Sequence, residues 1–94
     1  MGRLIVSETS SFDIEDRLLS HLRLVIMNKF RRGESFMLQL PQSDRGQRSV
    51  WLHPASPLVI QFFGGRQPSI DRNLVEELMT QASSPDGLTL RSTT

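Results

Sequence analysis

Cysteine is missing from all 94 residues, and its absence removes a disulfide framework, a thiol nucleophile and a thiolate zinc site together. Lysine is almost missing as well, with Lys29 standing alone against ten arginines. The arginine fork suits phosphates and carboxylates, although a GC-rich genome produces the same bias with no functional meaning. A strongly basic balance, the usual footprint of nucleic-acid binding, is lacking: the net charge is +1 and the pI about 8.5. No apolar run approaches the length of a membrane span, and the apolar stretch Leu4-Ile5-Val6 is only three residues long. Neither signal peptide nor anchor is read, no membrane partner is expected, and cytoplasm is the default compartment. There is no internal repeat and no low-complexity segment.

What is present is a folding composition, 37% hydrophobic and 22% charged, too apolar and too patterned for a disordered chain. The length allows one hydrophobic core, so residues 1–94 are read as a single domain with 92–94 a loose tail. A core this small buries only roughly 60 to 65% of the unfolded surface, which makes a homo-oligomer the expected state.

Leu4-Ile5-Val6 reads as a strand followed by a polar turn over Ser7 to Ser11. Asp13 stands where an N-cap is wanted, with Glu15 and Asp16 in the following turn. From Ile14 to Arg32 the residues Ile14, Leu18, Leu19, Leu22, Val25, Ile26 and Phe30 recur at three- and four-residue steps and so share one helical face. Lys29, Arg31 and Arg32 in the last turn and Gly33 beyond it end that helix. Leu24 and Met27 fall on its opposite face among arginines. Three strand-like runs follow, Ser35 to Leu40, Arg48 to His53 and Leu58 to Phe63, most simply an antiparallel meander with a hairpin tip at Asp44-Arg45-Gly46. Their core face holds Phe36, Leu38, Leu40, Val50 and Leu52. The other face collects Met37, Gln39, Trp51 and His53, joined by either the Val59, Gln61, Phe63 set or the Leu58, Ile60, Phe62 set. Ser69 or Asp71 caps a second helix with the stripe Leu74, Val75, Leu78, Met79 and Ala82, running to about Ser83. The turn Ser84-Pro85-Asp86-Gly87 leads into a last strand at Leu88-Thr89-Leu90-Arg91. The order β-α-β-β-β-α-β implies an α+β fold, a two-layer sandwich of a mostly antiparallel sheet with two helices on one face.

Few residues could carry chemistry. His21 sits at the edge of the first helical stripe, where a structural histidine outweighs a catalytic one. His53 could join it as a metal ligand, but two histidines without cysteine or a carboxylate motif make a poor site, so no metal is expected. Serines and histidines occur without a nucleophile-elbow sequence to place them, so no catalytic residue is named. Gly64-Gly65-Arg66 lacks the lysine and hydroxyl of a phosphate loop and does not match a dinucleotide fingerprint, so no cofactor is expected. Arg31, Arg32, Arg45, Arg48 and Arg66 could combine with Trp51 and Phe63 into a basic surface with aromatic platforms, the way single-stranded nucleic acid is held. Against that stands packing of Trp51 and Phe63 within the core or on a second subunit, the commoner fate of large aromatics.

The runs Asp16-Arg17-Leu18-Leu19-Ser20-His21-Leu22-Arg23 and Lys29-Phe30-Arg31-Arg32-Gly33-Glu34-Ser35-Phe36, with Val50-Trp51-Leu52-His53-Pro54, Pro57-Leu58, Asp71-Arg72-Asn73 and Ser84-Pro85-Asp86-Gly87-Leu88, form a pattern spanning nearly the whole chain. It resembles a family of small actinobacterial proteins of unknown function that often carry the automatic label ATP-dependent DNA ligase. The resemblance implies a stand-alone domain and supplies no chemistry. The ligase label meets no support in the residues: such enzymes attack ATP with a lysine in a Lys-x-Asp-Gly setting, and Lys29 is followed by Phe30, Arg31 and Arg32.

The reading that results is a non-enzymatic binding or assembly module that associates with itself. Its interface residues would be Leu24, Met27, Met37, Trp51 and Phe63. The alternative is a nucleic-acid accessory module using Arg31, Arg32, Arg48, Trp51 and Arg66. Ligase-related catalysis comes third.

Overall fold

A computed structural model describes residues 2–42, 46–65 and 68–90. The expected hairpin tip at Asp44-Arg45, the residues Arg66 and Arg91 and the tail 92–94 lie outside that set. Among the described residues there are two helices and six strands: β1 (Gly2–Ser7), β2 (Ser10–Ile14), α1 (Asp16–Arg31), β3 (Phe36–Gln42), β4 (Gly46–Leu52), β5 (Val59–Phe62), α2 (Arg72–Ala82) and β6 (Leu88–Thr89). The α+β class and the order strand, helix, three strands, helix, strand hold, with one strand added near the N-terminus. No helix among the described residues is long and apolar enough to cross a membrane.

The added strand is β2. Phe12 and Ile14 are buried while Ser11 and Asp13 are exposed, a period of two that wins over the helical reading of the same residues. Asp13 therefore caps no helix; it pairs across the hairpin with Arg3, whose Nε lies 3.1 Å from Asp13 Oδ1. The helix begins two residues past Ile14, behind Glu15, which makes no side-chain cap.

The strands form two three-stranded sheets, β2-β1-β5 and β4-β3-β6. The expected meander is thus corrected: β3 and β4 pair antiparallel, but β5 leaves them and pairs antiparallel with β1. Pro54 and Pro57 in the connection from His53 to Leu58 lack the N–H that would extend β4, and the apolar run of β1 offers β5 a free edge. β6 joins β3 in parallel.

The two sheets and two helices share one core. Leu4, Phe12 and Ile14 from the first sheet meet Leu18, Leu19, Leu22, Val25 and Ile26 of α1, and Phe36, Leu38, Leu40, Leu52 and Leu88 from the second sheet join Leu78 and Ala82 of α2. α1 packs on β1 and β5, α2 on α1, β3 and β6. The end of α1 is a Schellman turn: Gly33, at φ 71°, donates its N–H to the Phe30 carbonyl at 3.0 Å and Glu34 donates to the Lys29 carbonyl at 3.0 Å. The start of α2 is capped by Asp71, whose Oδ1 accepts from the Asn73 and Leu74 amides at 3.0 and 3.4 Å. In the turn after α2, Gly87 at φ 81° passes so close to β3 that a Cβ there would collide with the Met37 carbonyl oxygen. Glycine is required at that position on both counts.

Candidate binding surfaces

The two buried polar side chains, His21 and Lys29, are engaged in holding the fold. His21 is fully buried. Its Nδ1–H donates to the Arg17 carbonyl at 2.6 Å and its Nε2 accepts from the Asp71 amide at 2.9 Å, so both ring nitrogens of the neutral imidazole are satisfied. His53 is exposed in the β4–β5 connection, where its Nδ1 accepts from the Ala55 amide at 3.0 Å. Among the described residues no three metal-ligating side chains cluster. Lys29 is buried, and its Nζ donates to Ser83 Oγ at 2.8 Å and lies 3.2 Å from Glu34 Oε1. The only lysine of the chain thus bridges the ends of the two helices. His21 ties α1 to the N-cap residue of α2, and Lys29 ties it to the C-cap residue.

Four large apolar side chains, Trp51, Val59, Phe63 and Ile70, are exposed among the described residues. On the outer face of β3 and β4, Met37 stands directly across from Trp51, and Trp51 is 56% exposed. The same face turns polar one step along, where Gln39 Oε1 accepts from Ser49 Oγ at 2.9 Å and from the Gln47 side chain, and Gln39 Nε2 donates to the Asp86 carbonyl at 2.7 Å. The apolar half therefore has an abrupt border. Beside it lies a hollow of about 470 Å³ lined by Met37, Trp51, Arg32, Lys29 and Ser84 among others.

A second surface runs along α1. Met27, Ile26 and Phe30 face Leu58 and Ile60 across a groove of about 540 Å³, with Arg23 and Arg31 on its rim. Leu24 lines its continuation, with Phe62, Pro68 and Ile70. α1 runs along this groove from Ser20 to Arg31, about 16 Å, and β5 with the irregular residues 56–58 before it forms the facing wall.

The sequence-derived interface set falls on three separate surfaces. Met37 and Trp51 are together, Leu24 and Met27 share the α1 groove, and Phe63, 57% exposed, stands on the outer side of the first sheet beneath the Arg3 guanidinium at 5.7 Å. The open register is resolved here: Ile60 and Phe62 pack on the core, and Val59 and Phe63 face out. The basic set is also divided. Arg32 lines the Trp51 hollow and Arg31 the α1 groove. Arg48 lies on the other face of β4, its guanidinium 4.5 Å above the Phe12 ring. Arg66 is outside the described residues. The arginine at Arg23 and the edge position of β5 were not singled out in the sequence; Arg23 follows from helical spacing with Met27, whereas nothing local marks β5 as an edge.

A family model described as a domain of unknown function, DUF7882, matches residues 1–93. No curated protein and no solved structure matches the chain.

Proposed function

We propose that this chain, which belongs to the DUF7882 family and takes no assigned activity from it, is a non-enzymatic assembly module that associates with copies of itself. The observation that carries the reading is the Met37–Trp51 pair on the outer face of the second sheet, with Met37 half-buried and Trp51 more than half exposed. Tryptophan is enriched at the centre of protein interfaces, where it buries a large rigid area at small entropic cost. A single patch of this kind meets its own copy across a two-fold axis, the commonest way for copies to associate. The engagement of His21 and Lys29 with the helix caps supports a role for them in structure rather than in turnover.

A second reading, nucleic-acid binding, draws on the placement of Arg32 in the same hollow as Trp51, a cation beside an aromatic platform. Light scattering at two protein concentrations, with and without a short mixed-sequence oligonucleotide and at low and moderate salt, separates the two. The assembly reading expects a dimer that ignores oligonucleotide and salt and that Trp51→Ser converts to monomer. A wild-type monomer that gains mass only with oligonucleotide at low salt sinks it in favour of the arginines, because phosphate contacts weaken steeply with salt.

A further inference from the structure

β5 ends its sheet: it pairs with β1 on one side and with no strand on the other among the described residues. Every second residue of such a strand turns its N–H and C=O to the open side, a template for one more strand. On the inner side of that edge lies the groove between β5 and α1, floored by Ile26, Met27, Phe30, Leu58 and Ile60. On the outer side Val59 is 53% exposed. A strand laid along β5 would place alternate side chains into the groove and alternate ones beside Val59.

We propose that this edge receives an extended acidic segment of a partner protein, which adds to the first sheet as a fourth strand and seats alternate apolar side chains in the α1 groove. The charge of the rim selects the occupant. Arg23 and Arg31 are its charged residues, both exposed, and no acidic side chain lines the groove. A second copy of this chain does not suit it: a two-fold pairing of β5 with β5 would bring four arginines to one seam, and residues 58–63, Leu-Val-Ile-Gln-Phe-Phe, carry no carboxylate to meet them. Like charges across an interface disfavour the pairing. The site goes beyond the self-association surface, which lies on the other sheet, so either can fail alone.

The test is selection from a displayed pool of random dodecapeptides on the intact chain, followed by hydrogen exchange of the chain with an enriched peptide. Enriched peptides should alternate apolar residues and carry excess aspartate and glutamate, and they should slow exchange of those alternate amides within residues 59–62 that face away from β1. In Arg23→Glu/Arg31→Glu binding should fall at least about tenfold and return when the peptide's acidic residues are replaced by lysine. Arg23→Gln/Arg31→Gln, which perturbs the end of α1 less, should show an intermediate loss. A pool with no enrichment, peptides enriched without acidic bias, affinity indifferent to the rim charge, or protection confined to β3 and β4 would each overturn the proposal.

Discussion

Two buried polar side chains on one helix, two turns apart, solve the same problem differently. His21 and Lys29 both reach from α1 to α2, one to its N-cap residue and the other to its C-cap residue. His21 does so without charge and without solvent: each ring nitrogen has one backbone partner and no surface is left. Lys29 keeps a charge at 7% side-chain exposure by pairing with Glu34, which is itself 45% exposed and opens to the hollow beside Trp51. A neutral bridge in a dry place loses much when one partner goes, because backbone groups are left unpaired. A buried ion pair with one wet partner contributes little net, because desolvation offsets attraction. The two ends of the helix pair therefore differ in how they hold, although both are tied.

The comparison can be broken by substitution, beginning with the larger effect. His21→Ala should cost about 3 kcal/mol, since it empties a buried site and orphans the Arg17 carbonyl and the Asp71 amide. Chemical denaturation would measure it, and a loss below about 1 kcal/mol would show that water replaces the ring. Asp71→Ala should cost about 1 kcal/mol for the lost cap, roughly 4 to 8 °C in Tm for a domain of this size. Together with His21→Ala its effect should be less than additive, because both act on the same helix end. Lys29→Met should stay within about 1 kcal/mol of the original chain in either direction, since Ser83 Oγ retains its bond to the Met79 carbonyl at 3.1 Å. A loss of about 3 kcal/mol there would make the two bridges alike and remove the contrast. Glu34→Gln should destabilise the chain more than Lys29→Met does, because it leaves the buried Lys29 ammonium without its counter-ion, and the loss should largely persist in high salt because a partly buried pair is screened little.

Much of this was legible in the chain. The stripe of α1 from Leu18 onward, the glycine cap at Gly33 and the Ser84-to-Gly87 turn rest on local chemistry and stand where their residues placed them, and of the two caps offered for α2 the chain uses Asp71. Grouping Arg48 with Trp51 overlooked a local signal, because residues three apart on a strand point to opposite faces. Two local readings competed at residues 10–14, where a carboxylate suited to a cap also suits a cross-strand pair. The cap lost to the alternation of Phe12 and Ile14, whose burial outweighs one cap bond.

The chain's own order of residues determined which side chains are buried within each element and where each helix stops, because those depend on period and on neighbours a few positions away. Only the tertiary structure decided which strands meet. Partner choice for β5 depends on which edge is free after β1, β2 and α1 have packed, a matter of residues 54 to 60 positions apart, from Ile5↔Val59 to Gly2↔Phe62. The same packing divided the arginines, drew Lys29 inward, left Trp51 out and laid an open strand beside α1. Those surfaces exist only once the core has closed behind them.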